Sequence, residues 1–194
     1  RHVLEPAARV SLDSSYVVSV KPRWIDVKSI KYTRQSAESG QELTFMQTLT
    51  DYTGEYAPVL AVPKYVQAVD FAANNHLQAV EYIRLSDTVR YVNTDLVNLR
   101  VNKGYQLSGE NPVFAVTADG ILTNAAGTEY IGIPYSTTKL TIPNNIERVT
   151  LPKNTQLRQL VFEAEDAANL PKIDYGGMKS GTIIVPDAVL LEFI

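Results

Sequence analysis

Three carboxylates stand close together toward the C-terminal end of the chain, at Glu163, Glu165 and Asp166. Two carboxylates held at a fixed separation can act as acid and base in glycoside hydrolysis. The same groups could hold calcium weakly, but the Asp-x-Asp-x-Asp-Gly spacing of a strong calcium loop is missing. The plainer reading is a solvated loop between Phe162 and Leu170, and it is the one adopted. Imidazole is scarce: His2 and His76 are the only two histidines. His76 falls where a second, similar stretch of sequence has Gln156, which reads as a solvent-facing turn position. With no Cys and no partnered His, neither a zinc site nor a Ser-His-Asp arrangement can be assembled. Gly176-Gly177 and Asp119-Gly120 read as turns, because no GxGxxG or GxxxxGK pattern surrounds them. The expectation is therefore no catalytic residue, no metal and no cofactor. Eleven tyrosines remain. Tyr65, Tyr91, Tyr105, Tyr130 and Tyr135 fall at or near strand and turn positions, where exposed Tyr favours contact surfaces.

Such residues need elements to hold them, and the elements are announced by a repeat. Val62-Pro63, Val66, Val69, Phe71, Asn74, Leu77, Val80 and Tyr82 recur, at an offset of 80 residues, as Ile142-Pro143, Ile146, Val149, Leu151, Asn154, Leu157, Leu160 and Phe162. Every apolar position of one copy is apolar in the other. A register repeated in this way points to a solenoid. Within it, the spacing Leu77/Val80/Tyr82 returns as Leu96/Leu99/Val101, Leu157/Leu160/Phe162 and Leu170/Ile173/Tyr175. The last two positions of each set lie two apart and share one face of a strand. The leading Leu must come from a turn that folds back over the core. Pro63 and Pro143 fix φ and lack a donor, so they mark corners. Leu85, Val89 and Val92 form a degenerate copy without the Pro, and Val185-Pro186 with Val189 begins another. Asn74 and Asn154 suit the turns between half-units. One coil cannot bury its apolar row alone, so stacking is obligatory. At about 1.5–3 kcal/mol per buried aliphatic side chain, these rows dominate stability.

Composition bounds the rest. The chain has 194 residues, 45% apolar and 20% charged, which is ordinary for a folded protein of one domain or two small ones. A net charge of −3 with scattered Lys and Arg argues against nucleic acid as a partner. No apolar run approaches the roughly 18 residues of a membrane helix. The absence of Cys excludes a disulfide scaffold. The chain opens at Arg1 rather than Met, so we expect that an upstream leader or anchoring segment was removed.

Between the two good copies the pattern changes. Alternating apolar residues from Val113 to Pro134 flank Asp119-Gly120 and Asn124 to Gly127, which reads as a β-meander with tight turns. Phe114, Asp119-Gly120-Ile121-Leu122-x-Asn124, Gly127-Thr128, Tyr130-Ile131-x-Ile133-Pro134 and Thr141-Ile142-Pro143-x-x-Ile146 together resemble the BspA-like leucine-rich repeats of bacterial cell-surface proteins. Leu170-Pro171-Lys172-Ile173 and Ile184-Val185-Pro186-Asp187-Ala188 are similar to that family too. The resemblance runs from about Val59 to Ile194. The chain departs from the family in lacking the Cys that many units carry after an Ala-Phe pair, and its Leu85–Val101 unit is short.

Residues 1–58 read as an N-terminal β-rich cap or small β domain. Val10-x-Leu12, Tyr16 to Val20, Trp24 to Tyr32 and Leu43-Thr44-Phe45 look like short strands, Ser36 to Gln41 like an exposed loop, and Asp51 to Glu55 like a turn. Residues 59–194 are expected, on the resemblance, to be a BspA-like repeat region. The expected fold is mostly β, an irregular leucine-rich-repeat solenoid. The resemblance implies a non-catalytic secreted or cell-surface protein that binds a protein or glycan through one solenoid face, at an extracellular location. Outward candidates on the repeat strands are Gln78, Glu81, Gln159 and Val161. The alternatives are a carbohydrate-processing enzyme or accessory module, resting on the carboxylates, and a passive spacer in a larger surface protein.

Overall fold

The computed structural model of the protein describes residues 2–4, 22–31, 45–54, 58–72, 77–93, 99–153, 155–175, 178 and 180–194. Corners come first, because they set the coil. In the Pro-containing half-units, Val66 N donates to Pro63 O at 3.1 Å, Ile146 N to Pro143 O at 3.2 Å, and Val189 N to Pro186 O at 3.1 Å. Proline stands at the first position of each turn, where its carbonyl is the acceptor and its missing N–H is not called on. In the degenerate copy Ser86 stands at the corner, and Val89 N donates to its carbonyl at 3.3 Å. Its hydroxyl donates to Pro63 O at 3.1 Å and lies 2.9 Å from Thr88 Oγ1, which donates to Val66 O at 2.8 Å. Asn111 continues the column, its Nδ2 donating to Ser86 O and Val89 O at 3.1 and 2.9 Å. Side-chain hydroxyls and an amide thus tie successive corners where proline is missing.

Strands leave these corners in two directions. On one side β4 (Val59–Ala61), β6 (Gln78–Leu85) and β8 (Leu99–Leu107) pair in parallel, and further on so do β12 (Lys139–Ile142), β14 (Gln159–Phe162) and β16 (Thr182–Ile184). On the other side β5 (Ala68–Val69) pairs with β7 (Tyr91–Val92), and β11 (Glu129–Gly132) with β13 (Arg148–Val149) and β15 (Lys172–Ile173), again in parallel. Parallel pairing at each step, with a corner between, is a β-solenoid. The mostly β solenoid expected from the repeat is the fold observed.

The solenoid has two interior clusters. Leu60, Val66, Phe71, Val80, Ile83 and Leu85 belong to the first, with Leu49, Phe114 and Leu122. Ile142, Ile146, Leu151, Leu157, Leu160 and Phe162 belong to the second, with Ile121 and Tyr130. Between them lies the meander: β9 (Phe114–Val116), β10 (Leu122–Asn124) and β11 in antiparallel order. Its turns are those expected. Gly120 N donates to Thr117 O at 3.0 Å, and Asn124 Oδ1 accepts from Thr128 N at 2.8 Å and Glu129 N at 3.1 Å. Consecutive residues Ile121 and Leu122, both buried, go to different clusters. The hairpin meets β8 backbone to backbone. Tyr105 N donates to Gly120 O at 2.9 Å, and a Cβ on Gly104 would lie 2.9 Å from Gly120 Cα. Gly104 and Gly120 have φ of 150° and 82°, where L side chains are strained.

At the N-terminal end, β1 (His2–Leu4), β2 (Pro22–Lys31) and β3 (Phe45–Gly54) form an antiparallel ribbon. β3 then pairs in parallel with β5, Thr48 opposite Ala68 and Leu49 opposite Val69. Residues 51–54, expected as a turn, are instead strand, because Asp51, Tyr52, Thr53 and Gly54 pair with Asp26, Ile25, Trp24 and Pro22. The strand expected from Trp24 is present within β2. The segments at Val10 to Val20, Ser36 to Gln41 and Leu43-Thr44 lie outside the described residues, as do Asn74, Leu96 and Asn154.

The two sequence copies are not equal in space. Leu157 is fully buried, whereas Leu77 is 50% exposed. Phe162 is buried, whereas Tyr82 is half-buried. A register shift between β6 and β8 accompanies the second difference. Val101 of β8 pairs with Val80 and Gly104 with Tyr82, so β8 carries one residue more over that interval. Past this bulge the inward positions of β6 are Ile83 and Leu85. In the last set Leu170 and Ile173 are half-buried and Tyr175 is 36% exposed, so this set fills the interior only partly. Urea denaturation should report the inequality: Leu157→Ala is expected to cost about 2–5 kcal/mol. Leu77→Ala should cost under about 1 kcal/mol. Equal losses would contradict the assignment.

Candidate binding surface

Side chains that alternate with the buried rows form the outer face of the strands. On β14 the alternation is unbroken: Leu160 and Phe162 point in, Gln159 and Val161 out. Register extends these into rows. Lys139, Gln159 and Thr182 are in line, and so are Thr141, Val161 and Ile184. The result is a flat strip of hydroxyl, amide and β-branched side chains, with Lys139 its one charged member.

The outer side of β6 and β8 is built differently. Glu81 pairs with Lys103 at 3.2 Å. Arg84 donates through Nε and Nη2 to Gln106 Oε1 at 3.1 and 3.0 Å. Arg100 lies 4.5 Å above the Tyr135 ring. Exposed ion pairs of this kind stabilise by about 0–1 kcal/mol and exposed cation–π contacts by about 0.5–1 kcal/mol. They also leave polar groups already engaged with one another. Neither the Arg84–Gln106 rung nor the Arg100–Tyr135 stack was readable in advance, because each joins residues on separate strands or loops.

The four expected outward residues therefore separate. Gln159 and Val161 face outward on β14. Glu81 does so on β6, bridged to Lys103. Gln78 precedes the buried Val80 by two residues, so alternation places it on the inward side, and Ala79 holds the position that corresponds to Gln159. The correction follows from the offset itself, since 159 less 80 is 79. The two sheets are also distinct. After β8, Tyr135 N donates to Val101 O at 2.8 Å and Ser136 N to Asn102 O at 3.1 Å, with the Ser136 hydroxyl on the same carbonyl. This loop, not a strand, follows β8.

Beside that loop is a cleft lined by Arg100, Tyr105, Ile131, Gly132, Tyr135 and Thr150, with a cavity of about 20 Å³. That is room for about one water, far below the roughly 300 Å³ at which small-molecule pockets begin. The Tyr105 ring fills the space: a Cβ on Gly132 would lie 2.7 Å from its Cζ. Burial pushes the Tyr105 phenol far above its ordinary pKa. Tyr130 is also raised, first by burial and then by the charges of Asp119 and Glu163. Both residues are buried and belong to the core rather than to a contact patch. Tyr65 and Tyr91 are 44% and 39% exposed, one at a corner and one on β7, while Tyr135 is half-buried beneath Arg100.

The carboxylates lie as a solvated segment. Glu163, Glu165 and Asp166 are exposed around the buried Ala164. Asp166 Oδ1 accepts from Ala168 N at 3.0 Å and so caps a short 3-10 helix, Ala167–Asn169. Among the described residues no group of three or more acidic or His side chains is placed to hold a metal. His76 and Gly176-Gly177 lie outside the described residues, and of His2 only the strand backbone is described. Among the described residues no helix is long and apolar enough to cross a membrane.

A parallel β-solenoid with an outward strip of this kind is the class that fold and surface define. Comparison with known protein families and with curated proteins gives no match. Among solved structures the chain is similar to the pneumococcal vaccine antigen PcpA, at 16% identity and a TM-score of 0.45 over 68% of this chain. The match spans 40% of that protein's length.

The raised tyrosines fix an alkaline limit. A phenol whose folded pKa lies above its unfolded value of about 10 contributes stability that is complete below pH 10. As pH rises above 10, the unfolded chain ionises first and that stability is lost. Denaturation midpoints should therefore be insensitive to Tyr105 up to about pH 10 and fall beyond it. Tyr105→Phe should flatten that fall, and an unchanged slope in the variant would contradict the assignment.

Proposed function

We propose that this chain is a non-catalytic binding protein of the bacterial cell surface or exterior, of the BspA-like leucine-rich-repeat kind. It recognises a protein or glycan through the outer strip of β12, β14 and β16. The observation that carries this reading is the pair of straight rows through Gln159 and Val161. Parallel strands repeat at about 4.8 Å, so in-line Thr, Gln and β-branched side chains offer a rigid surface with little entropy left to lose. Hydroxyls and an amide there can bond sugar hydroxyls or peptide groups without the desolvation cost of charges. The resemblance of residues Phe114 to Tyr175 to bacterial surface repeats supports the location. Glu81, already bridged to Lys103, lies outside the strip, and Gln78 faces inward.

The test is a screen of immobilised extracellular proteins and polysaccharides at low and high salt, followed by variants against the best ligand. Gln159→Ala with Val161→Lys should weaken binding by about tenfold or more. Glu81→Ala should change it less than about threefold. Unchanged affinity in the double variant removes this surface. The carbohydrate-processing alternative is separated by Glu163→Gln with Glu165→Gln: loss of a hydrolytic activity would favour the enzyme over the binder.

A further inference from the structure

The cleft beside β8 lies in mid-chain, where the Tyr135–Ser136 loop rather than a strand follows β8. Main-chain bonds fix its walls. Tyr135 N donates to Val101 O at 2.8 Å, Ser136 N to Asn102 O at 3.1 Å, and Thr150 N to Tyr130 O at 2.9 Å. Two polar side chains that line the cleft keep hydrogen-bonding capacity in reserve. Tyr105 is 5% exposed, and the hydroxyl end of its ring lies beside Gly132, where a Cβ would be 2.9 Å from the phenol oxygen. Among the described residues that hydroxyl has no hydrogen-bond partner. The Arg100 guanidinium lies 4.5 Å over the Tyr135 ring, and among the described residues it makes no hydrogen bond or ion pair. Stacking uses the flat face of a guanidinium and leaves its fork of N–H donors for an acceptor.

Sign, size and reach set what fits. Donors line the cleft and no acidic side chain does, so the ligand supplies acceptor atoms and negative charge. Burial pushes the Tyr105 phenol above its ordinary pKa, which keeps it a donor across the neutral range. A cavity of about 20 Å³ holds about one water, and so one carboxylate oxygen rather than a sugar ring or a phosphate. The Tyr135 ring face, on which a sugar could stack, is taken by Arg100. A carboxylate that enters must therefore stand on a stem, as those of Asp and Glu side chains do. The carboxylate of an acidic sugar is fixed to its ring instead.

We propose that this cleft binds the carboxylate of an acidic side chain from a protein partner, held by the Arg100 guanidinium and the Tyr105 hydroxyl, with the exposed Thr150 at its rim. The walls are fixed before the ligand arrives, so little ordering is needed on binding. This contact is separate from the strip of β12, β14 and β16 and does not depend on that reading.

An NMR titration with a glutamate residue blocked at both termini tests it, read at the Gly132 amide and the Arg100 Nε–H. Saturable shifts with a millimolar dissociation constant are expected, and blocked glutamine should give none. Arg100→Gln should weaken binding at least about tenfold, and Tyr105→Phe, which keeps the ring in place, at least about threefold. Lys103→Gln removes a charge from the same strand and should change the affinity less than about twofold. Shifts that do not saturate overturn the proposal, as does an equal response to blocked glutamine or to chloride. An affinity unmoved by Arg100→Gln or by Tyr105→Phe overturns it too. Glucuronate binding as tightly as blocked glutamate overturns the protein source in favour of an acidic glycan.

Discussion

Two glycines touch where the solenoid changes character. Gly104 on β8 and Gly120 in the hairpin turn approach until a Cβ on either would collide with the other's backbone. That contact lets the hairpin lie flat against β8, and everything on either side follows. Ile121 enters one interior cluster and Leu122 the other, so neighbouring side chains join two cores at the start of one short strand. At about 1.5–3 kcal/mol per buried side chain, Ile121, Leu122 and Phe114 form a substantial bond between the halves. No parallel strand ladder runs across this point on the β8 side. The hairpin and the Tyr135–Ser136 loop take its place.

The same interruption divides the outer surface. Before it, the strands carry charge and amide groups that pair across rungs, as in Glu81–Lys103 and Arg84–Gln106. After it, the rows through Gln159 and Val161 run straight and almost uncharged to the exposed β16. Polar groups engaged with one another add a little stability and offer less to a ligand. Unengaged hydroxyls and amides in register offer more. The proposed contact strip thus differs from the face of β6 and β8 in which rungs are internally satisfied.

The periodic part of this architecture was legible. Val66, Val69, Phe71 and Val80 are buried, and so are Ile146, Val149, Leu151 and Leu160, because two-residue and corner spacings leave a core-facing position no freedom. Pro63, Pro143 and Pro186 mark corners for the same local reason. What escaped depends on neighbours distant in sequence. Tyr82 leaves the core where the β6–β8 register shifts, and no window around Tyr82 contains β8. Ser86 took a proline's place by bonding the previous corner, a contact 23 residues away. Asp51 to Gly54 looked like a turn by composition, but pairing with β2 holds them as strand. On β14, the outward placement of Gln159 and Val161 was legible from alternation. Gln78 was misplaced by one residue, which in a strand reverses the face.

Whether the two cores are one cooperative unit is measurable directly. Hydrogen exchange followed through a urea titration can track residues 59–71 and 139–162 in the same sample. If the hairpin joins the halves as described, both segments lose protection at one midpoint in the wild type, and Gly120→Val splits that midpoint in two. Two separate midpoints in the wild type would contradict it, and would make the hairpin a linker between independent halves.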